Sequence, residues 1–315
     1  MRAVQVVSQD REDPVAGVRV VDDALEPSIP PGWEVVDVRA AALNHHDLWA
    51  LRGVSLPAER MPMILGSDAA GVAADGREVI VHAVISDDGD RVSLLSDLHP
   101  GTLAERVAAP SANLVEKPPA LTFEQAACLP TAYLTAFRML FVRGELRPGQ
   151  RVLIQGAGGG VATAAVILAA HVGAHVIATS RRGEMLKLAR SLGAHEALAT
   201  GTRLERPVDL VIETVGEATF EHSLASVRPH GKVVIAGGTS GTMPTLPLRR
   251  VYFGHLDILG STMGTVEDLS ALAAMLAASG ARPAIDSVRP LAEAPAAFAR
   301  MQAGQTAGKL VLRVP

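Results

Sequence analysis

The chain is poor in cysteine, in basic runs and in long apolar runs, and each shortage excludes something. Cys128 is the only cysteine among 315 residues, so no intrachain disulfide can form, and a reducing, cytoplasmic setting is the expectation. A single cysteine of this kind reads as a small core residue rather than a nucleophile. The charge balance is mildly acidic, 29 basic against 33 acidic residues for a net of −4, with no Lys/Arg run. That excludes the electrostatic footprint of a protein that binds nucleic acid or an anionic membrane. The Ala-rich stretch 161–172 is too short to span a bilayer. Met1-Arg2-Ala3-Val4-Gln5-Val6-Val7 lacks signal-peptide architecture and reads as a strand. What remains, 48% hydrophobic over 315 residues, is enough for two packed domains.

The most informative stretch is Arg151-Val152-Leu153-Ile154-Gln155-Gly156-Ala157-Gly158-Gly159-Gly160-Val161-Ala162. Val152 to Gln155 predict a short buried strand, the glycines a tight turn, and the Ala-rich run to Val172 a helix. Glycines let the backbone turn sharply and approach a ligand without a Cβ in the way. The helix start adds unpaired N–H groups and the positive end of its dipole, which suit a phosphate. A glycine hinge without a ligand is the competing reading, but the strand before and the helix after favour a phosphate cradle. His175–Thr179 predicts a second strand, which completes a βαβ unit. Where an NAD enzyme carries an acid after this strand, the chain has Ser180-Arg181-Arg182. Guanidinium groups bind a 2′-phosphate that a carboxylate would repel, so the expected cofactor is NADPH. The alternative is a solvated Arg pair with Ser180 capping the helix at 184–192.

Residues 1–120 read as β-rich, with strands at Val4–Ser8, Val18–Asp22, Trp33–Ala41, Glu78–Ile85 and 101–110. Thr122 with Gln125 forms a capping-box signature ahead of an apolar run to Val142. Beyond 180, strands at Val208–Glu213, Lys232–Ala236 and Leu256–Leu259 alternate with helices near 184–192, 217–226 and 266–279. Such alternation predicts an α/β, doubly wound parallel sheet. Lys309–Arg313 predicts a final strand that rejoins the N-terminal β region.

Several motifs occur in a fixed order. Ala42-Leu43-Asn44-His45-His46-Asp47-Leu48-Trp49 comes first, then Leu65-Gly66-Ser67-Asp68-Ala69-Ala70-Gly71 and Leu129-Pro130-Thr131-Ala132-Tyr133-Leu134-Thr135. The glycine turn, Gly237-Gly238-Thr239-Ser240-Gly241 and Gly308-Lys309 follow. Across essentially the whole chain this resembles the medium-chain dehydrogenase/reductase superfamily. The resemblance implies a GroES-like catalytic domain at 1–121 completed by 282–315, a Rossmann domain at 122–281, and a cleft holding the nicotinamide. The third glycine of the family's fingerprint is Ala162 here, which still allows close helix–strand packing. By the same resemblance, the residues expected at the cofactor are Thr131, Thr135, Gly156, Gly158, Gly159, Gly160, Val161, Ser180, Arg181, Arg182, Gly216, Gly237, Gly238, Thr239 and Lys309.

The resemblance also frames the chemistry. Where zinc alcohol dehydrogenases place Cys, His-Glu and a later Cys, this chain has Asn44, Ser67-Asp68 and Thr131, and Asn, Ser and Thr are poor zinc ligands. His45 and His46, read as neighbours on a strand or extended turn, would point to opposite sides. The chain therefore resembles the zinc-free, quinone-oxidoreductase-like members. Without a Lewis acid, hydride transfer from NADPH is easiest onto a conjugated acceptor: a quinone, an enone or an enoyl thioester. Asn44 is the expected orienting group, Asp47 a supporting one, and Tyr133 or His46 a conceivable proton donor. Trp49 stands where related quinone reductases carry tyrosine, and it forms an apolar wall. A stand-alone enoyl reductase with Arg249-Arg250 at its rim, and a non-catalytic NADPH-binding sensor or structural protein, remain the alternatives. The edge strand 255–260, with Ile258, points to a homodimer.

Overall fold

A computed structural model describes residues 1–87 and 91–315, and its backbone divides into two compact units. Unit 1 comprises Met1–Thr131, Thr265–Gly280 and Ile285–Pro315; unit 2 comprises Ala132–Gly264 and Ala281–Ala284. The helix Val266–Ser279, which the sequence reading placed in the nucleotide-binding segment 122–281, thus clusters with unit 1.

Unit 2 is built on six strands in the spatial order Glu196–Ala199, His175–Ser180, Arg151–Ile154, Val208–Glu213, Val227–Ile235, Asp257–Gly260. Every pairing is parallel. Numbered along the chain this is 3-2-1-4-5-6, the doubly wound order of dinucleotide-binding sheets, so the α/β expectation holds. Leu153, Ile177, Val211, Phe220, Leu224 and Val233 pack one buried cluster, as strands covered on both faces require. The helix Gly160–His171 is buried continuously from Ala162 to Ala169. Its run of alanines lets it lie close against the sheet, and being apolar all round it belongs in the core.

Unit 1 is antiparallel over most of its main sheet. Leu114–Glu116, Glu78–Val81, Asp68–Ala73, Trp33–Ala42, Lys309–Arg313 and Ile285–Pro290 run in that order, with Arg106–Pro110 also on Trp33–Ala42. The pairing of Lys309–Arg313 with Trp33–Ala42 is antiparallel and brings the C-terminal strand against the strand that leads to Asn44. A smaller sheet joins Val18–Val21, Ala3–Val6 and Met63–Ile64. The expected strand at Glu78–Ile85 is two, Glu78–Val81 and Val84–Asp87, and 101–110 is a strand only from Arg106.

The apolar run after Thr122 is not one helix. Thr122 and Gln125 do form the reciprocal capping box, but Pro130 lacks the N–H that would continue the ladder. Leu129–Tyr133 and Arg138–Arg143 are π-helical turns on either side of Leu134–Phe137. Such turns are frequent at functional sites.

Candidate functional site

Two sets of residues in the two units carry the candidate chemistry. In unit 1, Asn44 opens the seven-residue helix His45–Leu51. This corrects the reading of His45 and His46 as extended: they form the first helical turn. The Asn44 N–H donates to Asp47 Oδ2 at 2.8 Å, and Gly66 N–H donates to Asp47 Oδ1 at 3.1 Å. Both Asp47 oxygens are therefore committed to backbone, with no surface exposed. Burial pushes the Asp47 carboxyl up to about 6, only partly offset by the Asn44 N–H. Its role is to lock the helix start to the Gly66-Ser67-Asp68 turn. Gly66 has φ of 99°, and a Cβ there would run into Leu103 and Thr102. His46 faces Asp97 at 3.4 Å; burial opposes its charge, but the Asp97 carboxylate outweighs burial and raises its pKa.

Lys309 arrives from the last strand and spends all three protons. Its Nζ donates to Leu43 O at 2.7 Å, Asn44 Oδ1 at 2.6 Å and Asp68 Oδ2 at 2.9 Å. Because an ammonium only donates, the Asn44 carbonyl oxygen must face it, which turns the amide nitrogen to Ser67 Oγ at 3.3 Å. Ser67 Oγ in turn lies 3.2 Å from Thr131 Oγ1. Lys309, assigned by resemblance to the cofactor, is thus fully engaged within unit 1. The three positions matching zinc ligands hold an amide and two hydroxyls, with an ammonium on the amide oxygen. That donor set suits zinc poorly, because zinc takes thiolate, imidazole or carboxylate. Among the described residues no three of His, Cys, Asp and Glu gather as metal ligands.

In unit 2, the turn after Arg151–Ile154 has Gly156 at φ 71° and Gly158 at φ 120°, conformations that L side chains rarely adopt. A Cβ on Gly156 would meet Val215 at 2.6 Å, and one on Gly158 would meet Met185 at 2.5 Å. A Cβ on Gly159 would meet nothing within 4 Å. Gly159 caps the helix Gly160–His171, so open space borders the unpaired N–H groups of its first turn, including Val161. The turn therefore fits a dinucleotide pyrophosphate. Ala162 is buried, as a helix packed tightly on a strand requires.

The loops beside this turn also stand at the C-terminal ends of their strands. A Cβ on Gly216 would overlap the Gly241 carbonyl, one on Gly238 would come within 2.7 Å of it, and one on Gly237 within 3.3 Å of Thr214 O. Thr239 N–H points to Thr214 O at 3.5 Å. These glycines let two loops stack backbone on backbone. Thr135 is buried in Leu134–Phe137. Tyr133 is wholly buried, and its hydroxyl accepts from Ala284 N–H at 2.7 Å. It is placed as a packing residue, without a face for a substrate.

The basic pair separates. Arg182 is bound to Glu184, and its N–H is held by Ser180 Oγ at 3.2 Å. Arg181 is exposed and has no carboxylate partner among the described residues. Arg250, expected at a basic rim, instead donates to Leu224 O at 3.1 Å and Val227 O at 2.6 Å, and Arg249 lies over the Phe253 ring. Cys128 is buried, and burial pushes its thiol up to about 12.

Sequence reasoning missed the polar network beneath the turn. Glu213 is fully buried and accepts from Val215 N–H at 2.8 Å, Gly216 N–H at 3.1 Å, and the Thr219 and Ser223 hydroxyls. Gln155 bridges Ser223 at 3.0 Å and His222 Nδ1 at 2.9 Å. The signal was there: a carboxylate and an amide that each follow an apolar run, Leu210-Val211-Ile212 and Val152-Leu153-Ile154.

Residues 30–119 match the model of the alcohol dehydrogenase GroES-like domain, and residues 160–278 that of the zinc-binding dehydrogenases. The chain is 30% identical over 324 residues to the synaptic vesicle membrane protein VAT-1 homolog of Homo sapiens, covering 92% of this chain and 81% of that one. It is 29% identical over 344 residues to the crotonyl-CoA carboxylase/reductase of Cereibacter sphaeroides, covering 89% and 79%. The solved structure of an NAD-dependent alcohol dehydrogenase superposes with a TM-score of 0.92 at 32% identity, with both chains covered in full.

Proposed function

The chain belongs to the medium-chain dehydrogenase/reductase superfamily of oxidoreductases, and from that premise we propose that it is a zinc-independent, NADPH-dependent reductase of quinones or α,β-unsaturated carbonyls. The observation that carries this reading is the Lys309 ammonium on Asn44 Oδ1, in a set of amide and hydroxyl groups that suits zinc poorly. With no cluster of metal ligands among the described residues to build alkoxide character, the favoured acceptor is one already activated by conjugation.

The reduced nicotinamide supplies the hydride. The residues suited to hold its dinucleotide are the glycine turn at 156–160 for the pyrophosphate and Arg181 for the 2′-phosphate. Gly216, Gly237, Gly238 and Thr239 shape the neighbouring loops. Within unit 1, the Asn44 amide is fixed by Lys309 and Ser67 and its backbone by Asp47, so it presents one defined orientation. Trp49 is partly exposed and offers an apolar stacking surface.

An enoyl thioester is one acceptor in this class, and the likeness to a crotonyl-CoA carboxylase/reductase supports including it. Steady-state NADPH oxidation against a panel of quinones, enones and enoyl thioesters tests the reading. Turnover with at least one conjugated acceptor and none with simple alcohols is the expected result. Turnover confined to saturated alcohols or ketones would overturn it. We further propose a homodimer, because Asp257–Gly260 ends the six-stranded sheet without a second neighbour among the described residues.

A further inference from the structure

We propose that Thr131 is a catalytic hydrogen-bond donor to the substrate's carbonyl oxygen, held in its donating state by a one-way chain of hydrogen bonds that starts at the Lys309 ammonium. The proposal rests on the reductase reading and adds to it a hydrogen-bond donor at a position that, by resemblance, matches a zinc ligand.

The direction of the chain follows from proton counting. Lys309 Nζ can only donate, so Asn44 Oδ1 accepts and Asn44 Nδ2 donates to Ser67 Oγ. Ser67 is 2% exposed. Its hydroxyl has one proton, and the only acceptor within reach among the described residues is Thr131 Oγ1 at 3.2 Å. Were Thr131 the donor in that pair, the Ser67 proton would be buried without a partner, which costs about 1–3 kcal/mol. Ser67 therefore donates to Thr131.

The Thr131 proton is then left over. Thr131 is half-buried, and no acceptor for its hydroxyl occurs among the described residues. It lies in the π-helical turn Leu129–Tyr133, where Pro130 has broken the regular ladder. A hydroxyl whose oxygen already accepts from a polarised chain is a stronger donor than an isolated one. The chain thus carries positive character from a buried ammonium out to an O–H at its accessible end, and the sites of Ser67 and Thr131 are those where the zinc enzymes hold metal ligands.

The chemistry needs such a group. When the β-carbon of an enone accepts hydride from NADPH, a C–H bond forms there and the alkene electron pair shifts onto the carbonyl oxygen, leaving an enolate and NADP⁺. Water then protonates the α-carbon, so the sum is enone, NADPH and one proton going to saturated ketone and NADP⁺. With a quinone the same addition leaves a ring enolate that is protonated on oxygen. Loss to solvent of the other proton on the carbon that took the hydride, with protonation of the second oxygen, restores the aromatic ring. The sum is then quinone, NADPH and one proton going to hydroquinone and NADP⁺. Either way negative charge grows on oxygen, and a preorganised donor aimed at it acts mainly in the transition state.

The test uses the full-length protein and two readouts. With 2-cyclohexenone and 1,4-benzoquinone as acceptors, Thr131→Val should lower kcat about a hundredfold and lower Tm modestly, because the Ser67 proton loses its acceptor. Thr131→Ser should restore kcat to within a few-fold of the original. Thr131→Val with kcat within twofold of the parent would overturn the proposal while leaving the reductase reading intact. The second readout needs no turnover: 4-nitrophenol bound to the parent protein should show its pKa lowered by about one unit, and Thr131→Val should abolish the shift. If no acceptor is reduced but this shift appears, the reductase reading falls and the donor stands. The same nitrophenol pKa in both proteins overturns the donor.

Discussion

Lys309 Nζ lies 2.9 Å from Asp68 Oδ2, with 2% and 0% of the two side chains exposed. A pair this deep contributes little net stability, since desolvation of both charges offsets their attraction, but removing one partner strands the other. Lys309→Met should therefore cost about 3–5 kcal/mol, read from urea denaturation. Lys309→Met combined with Asp68→Leu should recover most of that loss. If the double variant is no more stable than Lys309→Met alone, the pair is not what the lysine supports.

The split between Arg181 and Arg182 gives the second prediction. A charge-assisted hydrogen bond is worth about 1.5–3 kcal/mol, so Arg181→Ala should weaken NADPH roughly ten- to a hundredfold and leave NADH unchanged. Arg182→Ala should do much less to NADPH, because Glu184 already holds that guanidinium. Fluorescence titration with both cofactors checks this. Equal losses for NADPH and NADH in Arg181→Ala would count against the 2′-phosphate contact.

Asp47 makes the third prediction one about pH. Its folded-state value of about 6 lies above the usual carboxylate value near 3.9, so between these limits the folded state holds more protons than the unfolded one. Its contribution to stability is fully present below about pH 4 and is lost as pH rises through 6, to an extent on the order of 3 kcal/mol. Asp47→Asn cannot titrate and surrenders one of the two backbone hydrogen bonds at every pH. The stability difference between parent and variant should therefore shift against the parent from pH 4 to 6 and stay flat above 7. A pH-independent difference would show that the carboxyl titrates near its ordinary value.

The fourth prediction concerns assembly. Leu248, Tyr252 and Phe253 are 65%, 60% and 68% exposed on the helix Leu248–Gly254, just before the edge strand Asp257–Gly260. Exposed apolar groups beside an open sheet edge mark a contact surface. Light scattering at micromolar concentration should show a dimer, and Phe253→Glu should shift it to monomer. A monomeric parent protein would contradict this.

Most of unit 2 was legible because its signals are local. Val208–Glu213 and Glu217–Ser226 fall where hydrophobic period and capping residues put them. The edge strand begins at Asp257 rather than His255, since His255 ends the preceding helix in a left-handed conformation, which no sequence period reports. Asn44 was singled out through motif order. Its partners were not legible, because Lys309 lies 265 positions away and meets it only through the antiparallel pairing of the last strand with Trp33–Ala42. Glu213 was missed although its four donors lie within ten residues, because they become a cage only when the loop and the helix after it fold back over the strand end.

The last prediction tests the glycine turn. Gly159 has φ of −76° and ψ of 162°, ordinary extended backbone that valine adopts readily. A Cβ there meets no protein atom within 4 Å, so Gly159→Val should fold with a Tm close to the parent's. Gly158 is the internal contrast: its φ of 120° and the nearby Met185 sulfur make Gly158→Val strained, at a cost of about 1–3 kcal/mol. Ala162→Gly should cost about 1 kcal/mol and scarcely touch the cofactor. The three variants therefore separate a ligand cradle from a hinge. If the open space at Gly159 belongs to the pyrophosphate, Gly159→Val fills it with the branched side chain and abolishes NADPH binding in a protein that is otherwise intact. A hinge predicts the reverse, with cofactor titrations unchanged. Tight NADPH binding by folded Gly159→Val would remove the cradle, and with it the placement of the cofactor on which the reductase reading depends.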